Sequence, residues 1–351
     1  MNSAIKLSLL LLATLLPGAF FNLAQGQAAK PPIAPIREYI RLGSRVLATE
    51  PPCQYAMTLL SNFGWNGGGK PTTLTTTPGC SWTVSMHASW IDPYSTSPMA
   101  GTGSGTIQVF ANNHPESTLP RTGAVTIGDQ LLRFVQHARF PDPTYTFGDV
   151  GDDGEGDFGL FNYVALMKYY MVTAGCGDGT NYCPGDQLPK EQMAAFIVRA
   201  YLYTYPWMKT GYPYDPVTNP YGFQLVSQNP YYTDVVSGTF FPYVQKLKEL
   251  DLSIECGTNQ FCPQSLVTRE EMAEWVIRAM VKKNKFPQNF IYRATPYFTD
   301  VPETHARFRY IQKLREQGVT AGITATSYGP SYTLLRSQMS VFLIRALFTI
   351  P

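Results

Sequence analysis

The segment 298–346, FTDVPETHARFRYIQKLREQGVTAGITATSYGPSYTLLRSQMSVFLIRA, decides the fold because the chain writes it three times. Its landmarks are Phe308, Tyr310-Ile311, Leu314, Val319, Ile323, Pro330, Met339 and Arg345-Ala346. They recur as Phe241, Tyr243-Val244, Leu247, Leu252, Cys256, Pro263, Met272 and Arg278-Ala279. Earlier still they stand as Phe161, Tyr163-Val164, Met167, Val172, Cys176, Pro184, Met193 and Arg199-Ala200. From Phe to the Cys/Cys/Ile position is 15 residues in every copy, and from Pro to Met is 9. Chance does not hold two spacings three times.

Each copy opens on an aromatic residue and Asp-Val: Phe147-Gly148-Asp149-Val150, Tyr232-Thr233-Asp234-Val235 and Phe298-Thr299-Asp300-Val301. An Asp before an apolar-periodic run is expected to cap a helix, its carboxylate accepting from first-turn amides. Spacings such as Val244, Leu247 and Leu250 give that helix one buried stripe. A second helix starts near Lys190, Arg269 or Arg336, with a stripe of Met193, Phe196-Ile197 and Ala200, repeated as Met272, Trp275-Val276 and Ala279 and as Met339, Phe342-Leu343 and Ala346. One such pair cannot bury its stripe alone, so three should share a core in a compact all-α, pseudo-threefold domain. The stretch from about Pro143 to Pro351 is then expected to fold by itself.

These units resemble S-layer homology (SLH) repeats, through the aromatic-x-Asp-Val opening, the Gly-rich middle loop and the Thr-Arg-Ala-Glu-like start of the second helix. The copies span 145–202, 232–284 and 296–351. The resemblance implies a three-pronged spindle whose grooves bind a cell-wall polymer, often a pyruvylated polysaccharide, with the motif Arg supplying the cation. Lys190, Arg269 and Arg336 hold that position. A guanidinium offers a planar fork suited to a carboxylate. Only Thr268-Arg269-Glu270-Glu271 keeps Thr, Arg and the final acid, so Arg269 and Glu271 lead the polymer-binding candidates, before Arg336 and Lys190. The alternative for each cation is a solvated first-turn charge, contributing little to stability and sitting at the positive end of a helix at a cost of about a few tenths of a kcal/mol.

The chain starts with Lys6, an apolar run from Leu9 to Phe21 and then Gly26-Gln27-Ala28, the pattern of a secretory signal peptide over 1–28, followed by a linker over 29–46. No other long apolar run follows, so no transmembrane segment is expected after cleavage. The six Cys fall into three local pairs: Cys53 with Cys80, Cys176 with Cys183, and Cys256 with Cys262. In the third copy Ile323 and Tyr328 take that neighbourhood, so both partners vanish together. That is the behaviour of a disulfide in an exported protein. The rival is zinc, but Cys-x6-Cys and Cys-x5-Cys are looser than zinc spacing and no His lies near.

Residues 47–138 change character, with Thr- and Val-rich runs and frequent turn residues. Thr72–Thr77, Trp82–Met86, Thr106–Ala111, Ala124–Ile127 and Leu131–Gln136 read as strands, with Gly128-Asp129 as a tight hairpin between the last two. An all-β, immunoglobulin-like sandwich is expected. Cys80-Ser81-Trp82, Trp90-Ile91, Gly101-x-Gly103-x-Gly105, Asn112, Arg121-Thr122-Gly123 and Val135-Gln136 resemble a BACON-type domain, a sandwich named for presumed carbohydrate binding. Trp82 and Trp90 are expected in its core, although a Trp face can also stack on sugar. Gly101, Gly103 and Gly105 precede a strand, which speaks against a phosphate cradle.

Net charge is +2 with 15% charged residues, and no basic stripe points to nucleic acid. His87, His114, His137 and His305 are scattered, with neither a His-Glu-x-x-His pair nor a Gly-x-Ser-x-Gly elbow. Asp149, Asp152, Asp153, Glu155 and Asp157 lack calcium-loop spacing and read as a solvated insertion. The Tyr- and Pro-rich insertion 203–231 holds Trp207, Tyr212 and Tyr214. These read as added sugar-stacking surface or as packing on the helices. The expected protein is a non-catalytic, exported, two-domain chain without cofactor or metal, attached at the cell surface to an envelope polysaccharide or secondary cell-wall polymer. The alternatives are a soluble carbohydrate-binding protein using the sandwich or the insertion, and a glycan hydrolase with an unrecognised site.

Overall fold

The computed structural model describes residues 38–42, 45–50, 53–58, 60–115, 117–139, 141–151, 159–203 and 223–348. The expected signal peptide, four acids of the cluster (Asp152, Asp153, Glu155, Asp157) and the candidates Trp207, Tyr212 and Tyr214 lie outside the described residues. Among the described residues no helix is long and apolar enough to cross a membrane.

The N-terminal region is built of antiparallel sheets. A two-stranded ladder of β1 (Glu38–Leu42) and β2 (Arg45–Glu50) occupies part of the stretch expected to be a linker. Beyond it come β3 (Tyr55–Met57), β4 (Gly68–Thr76), β5 (Ser81–Met86), β6 (Ala100–Thr102), β7 (Gly105–Ala111), β8 (Arg121–Ile127) and β9 (Gln130–Gln136). They form one sheet in the order β3-β4-β7 and another in the order β6-β5-β8-β9. Alternation drives this: Leu74, Ile107 and Val109 of the first sheet meet Trp82, Val84, Val125, Ile127, Leu132 and Phe134 of the second in one apolar core. Gly128 takes positive φ in the tight β8–β9 turn. Trp82 is buried and donates Nε1 to Gly103 O at 2.8 Å. Trp90 packs edge-on to Phe63 and Phe134 under the Arg121 guanidinium. Both Trp rings are therefore engaged within the fold.

The C-terminal region is helical, with α1 (Gly159–Tyr169), α2 (Lys190–Tyr203), α3 (Phe241–Glu249), α4 (Arg269–Lys282), α5 (Phe308–Glu316) and α6 (Arg336–Leu343). Each second helix lies against the first helix of another pair: α2 on α3, α4 on α5, and α6 on α1. Met193, Met272 and Met339, with Trp275, Ile197 and Leu343, sit in one shared core. Just before the second helices a backbone cycle closes. Leu188 N donates to Leu334 O at 3.1 Å, Leu334 N to Val267 O at 2.8 Å, and Val267 N to Leu188 O at 2.8 Å.

Three disulfides join Cys53 to Cys80, Cys176 to Cys183, and Cys256 to Cys262, with no free Cys among the described residues. Cys183 and Cys262 each adopt positive φ directly before a proline, and the third loop places Gly329 there, also at positive φ. Gly329, not Tyr328, is thus the counterpart of the second Cys. A Cβ on it would lie 3.2 Å from Ile323 Cδ1, so an apolar approach stands where the other loops have a crosslink.

Strand β9 is buried along its whole length because the helices cover the face that the sheet core does not. Arg133 is 1% exposed and donates Nε to Gln317 O at 2.7 Å; burial pushes its guanidinium down to about 10, still cationic at neutral pH. Arg315 Nη2 reaches Met57 O at 3.0 Å, and Asn62 Oδ1 accepts from both Val135 N and Tyr163 Oη. Gly318 ends α5 at positive φ, where a Cβ would lie 2.0 Å from Leu131 O. The sheets therefore contribute to the stability of the helical stretch, since removing them strips partners from Arg315, Tyr163 and the Gln317 carbonyl. Each kcal/mol lost lowers Tm by roughly 2–4 °C in a domain of this size. A fragment starting at Pro143 is expected to melt about 10 °C or more below the full chain by circular dichroism. Equal melting temperatures would show that the junction does not couple the two regions.

Candidate functional site

The site is built around the starts of α2, α4 and α6. Asp149, Asp234 and Asp300 were expected to cap the first helices, but each instead clamps the loop before its second helix. Asp149 accepts from Tyr182 N and Cys183 N at 2.6 and 2.7 Å. Asp234 accepts from Phe261 N and Cys262 N at 2.9 and 2.7 Å. Asp300 accepts from Tyr328 N, Gly329 N and Ser327 Oγ at 2.9, 2.8 and 2.7 Å. The preceding aromatic packs on the aromatic that the clamp fixes. Phe147–Tyr182, Tyr232–Phe261 and Phe298–Tyr328 have ring centroids 5.7, 5.6 and 5.5 Å apart. These shelf aromatics escaped sequence reading, although aromatic-x-Pro at 182–184, 261–263 and 328–330 marks them.

Each clamped loop then serves the second helix of another pair. Lys190 N donates to Ser265 O, Arg269 N to Tyr332 O and Arg336 N to Asp186 O, each between 2.9 and 3.0 Å. First-turn amides, which a helix cannot satisfy internally, thus find partners across the pair boundary. The basic side chains follow the same path. Arg269 Nε donates to Tyr328 O and Arg336 Nε to Tyr182 O, both at 2.9 Å. Arg269 stacks over Tyr328 and Phe342, and Arg336 over Tyr182 and Phe196. Lys190, Arg269 and Arg336 are each only 5% exposed, so none is the solvated first-turn charge that sequence reasoning allowed. Burial lowers the Arg269 pKa, against the opposing pull of Tyr328 and Asp300, and lowers that of Arg336 against Tyr182, Asp186 and Asp149. The phenols are pushed up by burial, Tyr182 to about 12, and they donate to the Arg336 and Arg269 carbonyls as neutral hydroxyls.

The three cations differ in what they have left to offer. Lys190 Nζ lies 2.7 Å from Glu271 Oε1. Glu271 also closes the capping box of α4 with Thr268, so this acid is already engaged twice. Arg336 spends Nη1 on Gln192 Oε1 and Nη2 on Gly175 O. Arg269 makes its side-chain bond through Nε, and its Nη1 and Nη2 have no hydrogen-bond partner among the described residues. The grooves differ likewise. Leu60, Ser61 and Asn62 of the sheet region line the cavity between α1 and α6, beside Gln338, Val341 and Arg345. Along α4, Glu270 pairs with His305 and Arg307, and Glu274 pairs with Arg307.

Other sequence candidates resolve simply. His87 meets Thr126, His114 meets the Leu119 carbonyl and His137 meets Asn162. Asp234 lies near Cys256 and Cys262, but their sulfurs are bonded to each other and the carboxylate takes backbone amides.

The segment from Tyr297 to Ser340 carries α5, the Asp300 clamp and the start of α6. Residues 297–340 match the S-layer homology domain. No curated protein matches the chain. Among solved structures, a Bacteroides ovatus GH5 xyloglucanase in complex with a XXXG heptasaccharide is similar at 13% identity, over 79% of this chain. The chain spans 63% of that protein's length, and the TM-score of 0.21 carries no argument about fold or activity.

The clamp in the SLH segment is directly testable. Burial tends to raise the Asp300 carboxyl, but the Tyr328 and Gly329 amides and the Ser327 hydroxyl outweigh it and hold its pKa below the ordinary carboxylate range. A carboxyl whose folded pKa is depressed stabilises the fold above its unfolded pKa of about 3.9, and that stabilisation is lost as pH falls through the folded value. Asp300→Asn is therefore expected to cost about 1–3 kcal/mol at pH 7, with the gap to wild type closing below about pH 4. A gap in denaturant stability that stays constant down to pH 3 would remove the charge from the explanation.

Proposed function

We propose that this is a non-catalytic cell-surface protein held to an anionic envelope polysaccharide by a three-pronged SLH spindle, through the groove between its second and third helix pairs. Support for the spindle comes from the closed backbone cycle, from three matching aspartate clamps and shelf aromatics, and from the SLH match over 297–340. The observation that carries the choice of groove is Arg269: a buried guanidinium, fixed by Tyr328 O and two aromatic faces, with both Nη groups left for a ligand. Lys190 and Arg336 are committed to Glu271 and to Gln192 and Gly175, and the groove between the third and first pairs receives the Leu60–Asn62 loop. The sheets read as a docked, immunoglobulin-like BACON-type module that acts as a rigid spacer, since Trp82 and Trp90 are used internally.

Sedimentation with isolated envelopes, before and after chemical removal of wall polysaccharide, tests attachment. Arg269→Ala leaves Tyr328 O and its aromatic stack unfilled, so this variant is expected to lower Tm as well as binding, contrary to the behaviour of a surface cation. Arg269→Lys keeps the charge but loses the fork, and is the cleaner probe. Loss of a charge-assisted pair costs about 1.5–3 kcal/mol, or roughly 10- to 150-fold in affinity. Arg269→Lys should show part of that loss with a smaller change in Tm. Unaltered sedimentation of folded Arg269→Lys and Arg269→Ala would reject this groove.

A further inference from the structure

The groove between α4 and α5 differs from the other two at one helical position. Glu274 stands where α2 has Ala195 and α6 has Val341. In the other grooves the arginine one turn further on donates to a tyrosine of the facing helix: Arg199 Nη2 to Tyr243 Oη at 2.7 Å, and Arg345 Nε to Tyr163 Oη at 3.1 Å. On α4, Glu274 accepts from Arg278 Nη1 at 3.4 Å, and Arg278 turns to the Ser253 and Asp251 carbonyls at 3.0 Å. The third tyrosine, Tyr310, receives no bond from Arg278, and a cleft of about 560 Å³ opens beside it.

The cleft's walls combine charge with apolar rings. Lys282, Arg278 and Glu274 of α4, with Asp251, line one side; Arg309 and Tyr310 of α5, with Phe286 and Phe290, line the other. Lys282 pairs with Asp251 at 3.2 Å and Arg278 with Glu274, so those charges are balanced. Arg309 lies over the Phe290 ring at 4.5 Å and donates Nη2 to Gln288 O at 3.0 Å, while its Nε is buried without a partner. No carboxylate pairs with Arg309 among the described residues. A guanidinium set over a ring without a carboxylate partner, beside a phenol hydroxyl, suits an oxyanion carried on a polyhydroxylated ring, whose hydroxyls can meet the Tyr310 hydroxyl. Arg278 follows Arg269 by nine residues on the same helix, about 13 Å of rise, so the cleft is separate from the Arg269 position.

We propose that this cleft is a second subsite, selective for an anionic sugar residue, so that the groove holds an extended acidic glycan at two points. The inference rests on reading that groove as a glycan site. Full-length protein is titrated calorimetrically with a glucuronate-containing oligosaccharide, a phosphorylated one and a neutral one of equal length. One anionic probe is expected to bind about tenfold or more tighter than the neutral one, and which it is separates carboxylate from phosphate. Arg309→Gln should abolish that preference, and Tyr310→Phe should weaken binding by about threefold. Equal binding of neutral and anionic probes, or a preference that survives both Arg309→Gln and Tyr310→Phe, overturns the subsite. Envelope sedimentation separates the two readings. Retention lost in Arg269→Lys, with no probe preference, removes the subsite and keeps the attachment reading. An Arg309-dependent probe preference in protein that does not sediment does the reverse.

Discussion

Three backbone hydrogen bonds, linking Leu188, Leu334 and Val267 in a closed cycle, fix where everything else in the helical region stands. They bring the starts of α2, α4 and α6 together, and so gather three sets of first-turn amides that lack partners within their own helices. The loops supply the missing acceptors, but only if their carbonyls are held in place. That is the task of Asp149, Asp234 and Asp300, each of which pins the two amides just ahead of a proline. A carboxylate accepting from several amides is worth more than one facing water, because its charge strengthens each bond.

The same convergence explains a buried cation at a helix start, which the helix dipole alone opposes. Loop carbonyls and aromatic faces from the neighbouring pair surround Arg269 and Arg336, and a delocalised guanidinium accepts that setting with less desolvation loss than an ammonium. At the one position with lysine, a carboxylate is needed instead, and Glu271 supplies it. Three copies of one device thus end in three chemical states, and Arg269 alone among the three keeps both Nη groups without a hydrogen-bond partner among the described residues.

How much of this was legible follows from where each signal resides. The helix stripes and their spacing are local, and Met193, Met272 and Met339 fall where the pattern puts them. The Cys pairs are local too. The Asp role was misread because an Asp ahead of a helix looks the same as a cap, while its partners lie 27 to 34 residues downstream. Burial of Lys190, Arg269 and Arg336 depends on loops from other copies, which no window of sequence contains. The docking of the sheets on the helices did leave a trace: β9, QLLRFVQ, carries apolar residues on both faces, the mark of a strand covered on both sides.

That docking matters because it breaks the equivalence of the three grooves from outside, as substitution breaks it from inside. Asn62 ties β9 to Tyr163 of α1 and, through Tyr163, to Arg345 just beyond α6, so the sheet region closes on the groove between the first and third pairs. The salt-bridged ladder of Glu270, Arg307, Glu274 and Arg278 meanwhile holds α4 and α5 together by charge, whereas the other grooves have Ala195 and Val341 at the Glu274 position and are bridged by the Arg199–Tyr243 and Arg345–Tyr163 hydrogen bonds. A groove walled by paired charges exchanges partners with an incoming polar chain at modest cost, since each ion pair can be traded for hydrogen bonds to the ligand. The arrangement of charge along α4 therefore sets the groove between the second and third pairs apart from the other two on grounds independent of Arg269.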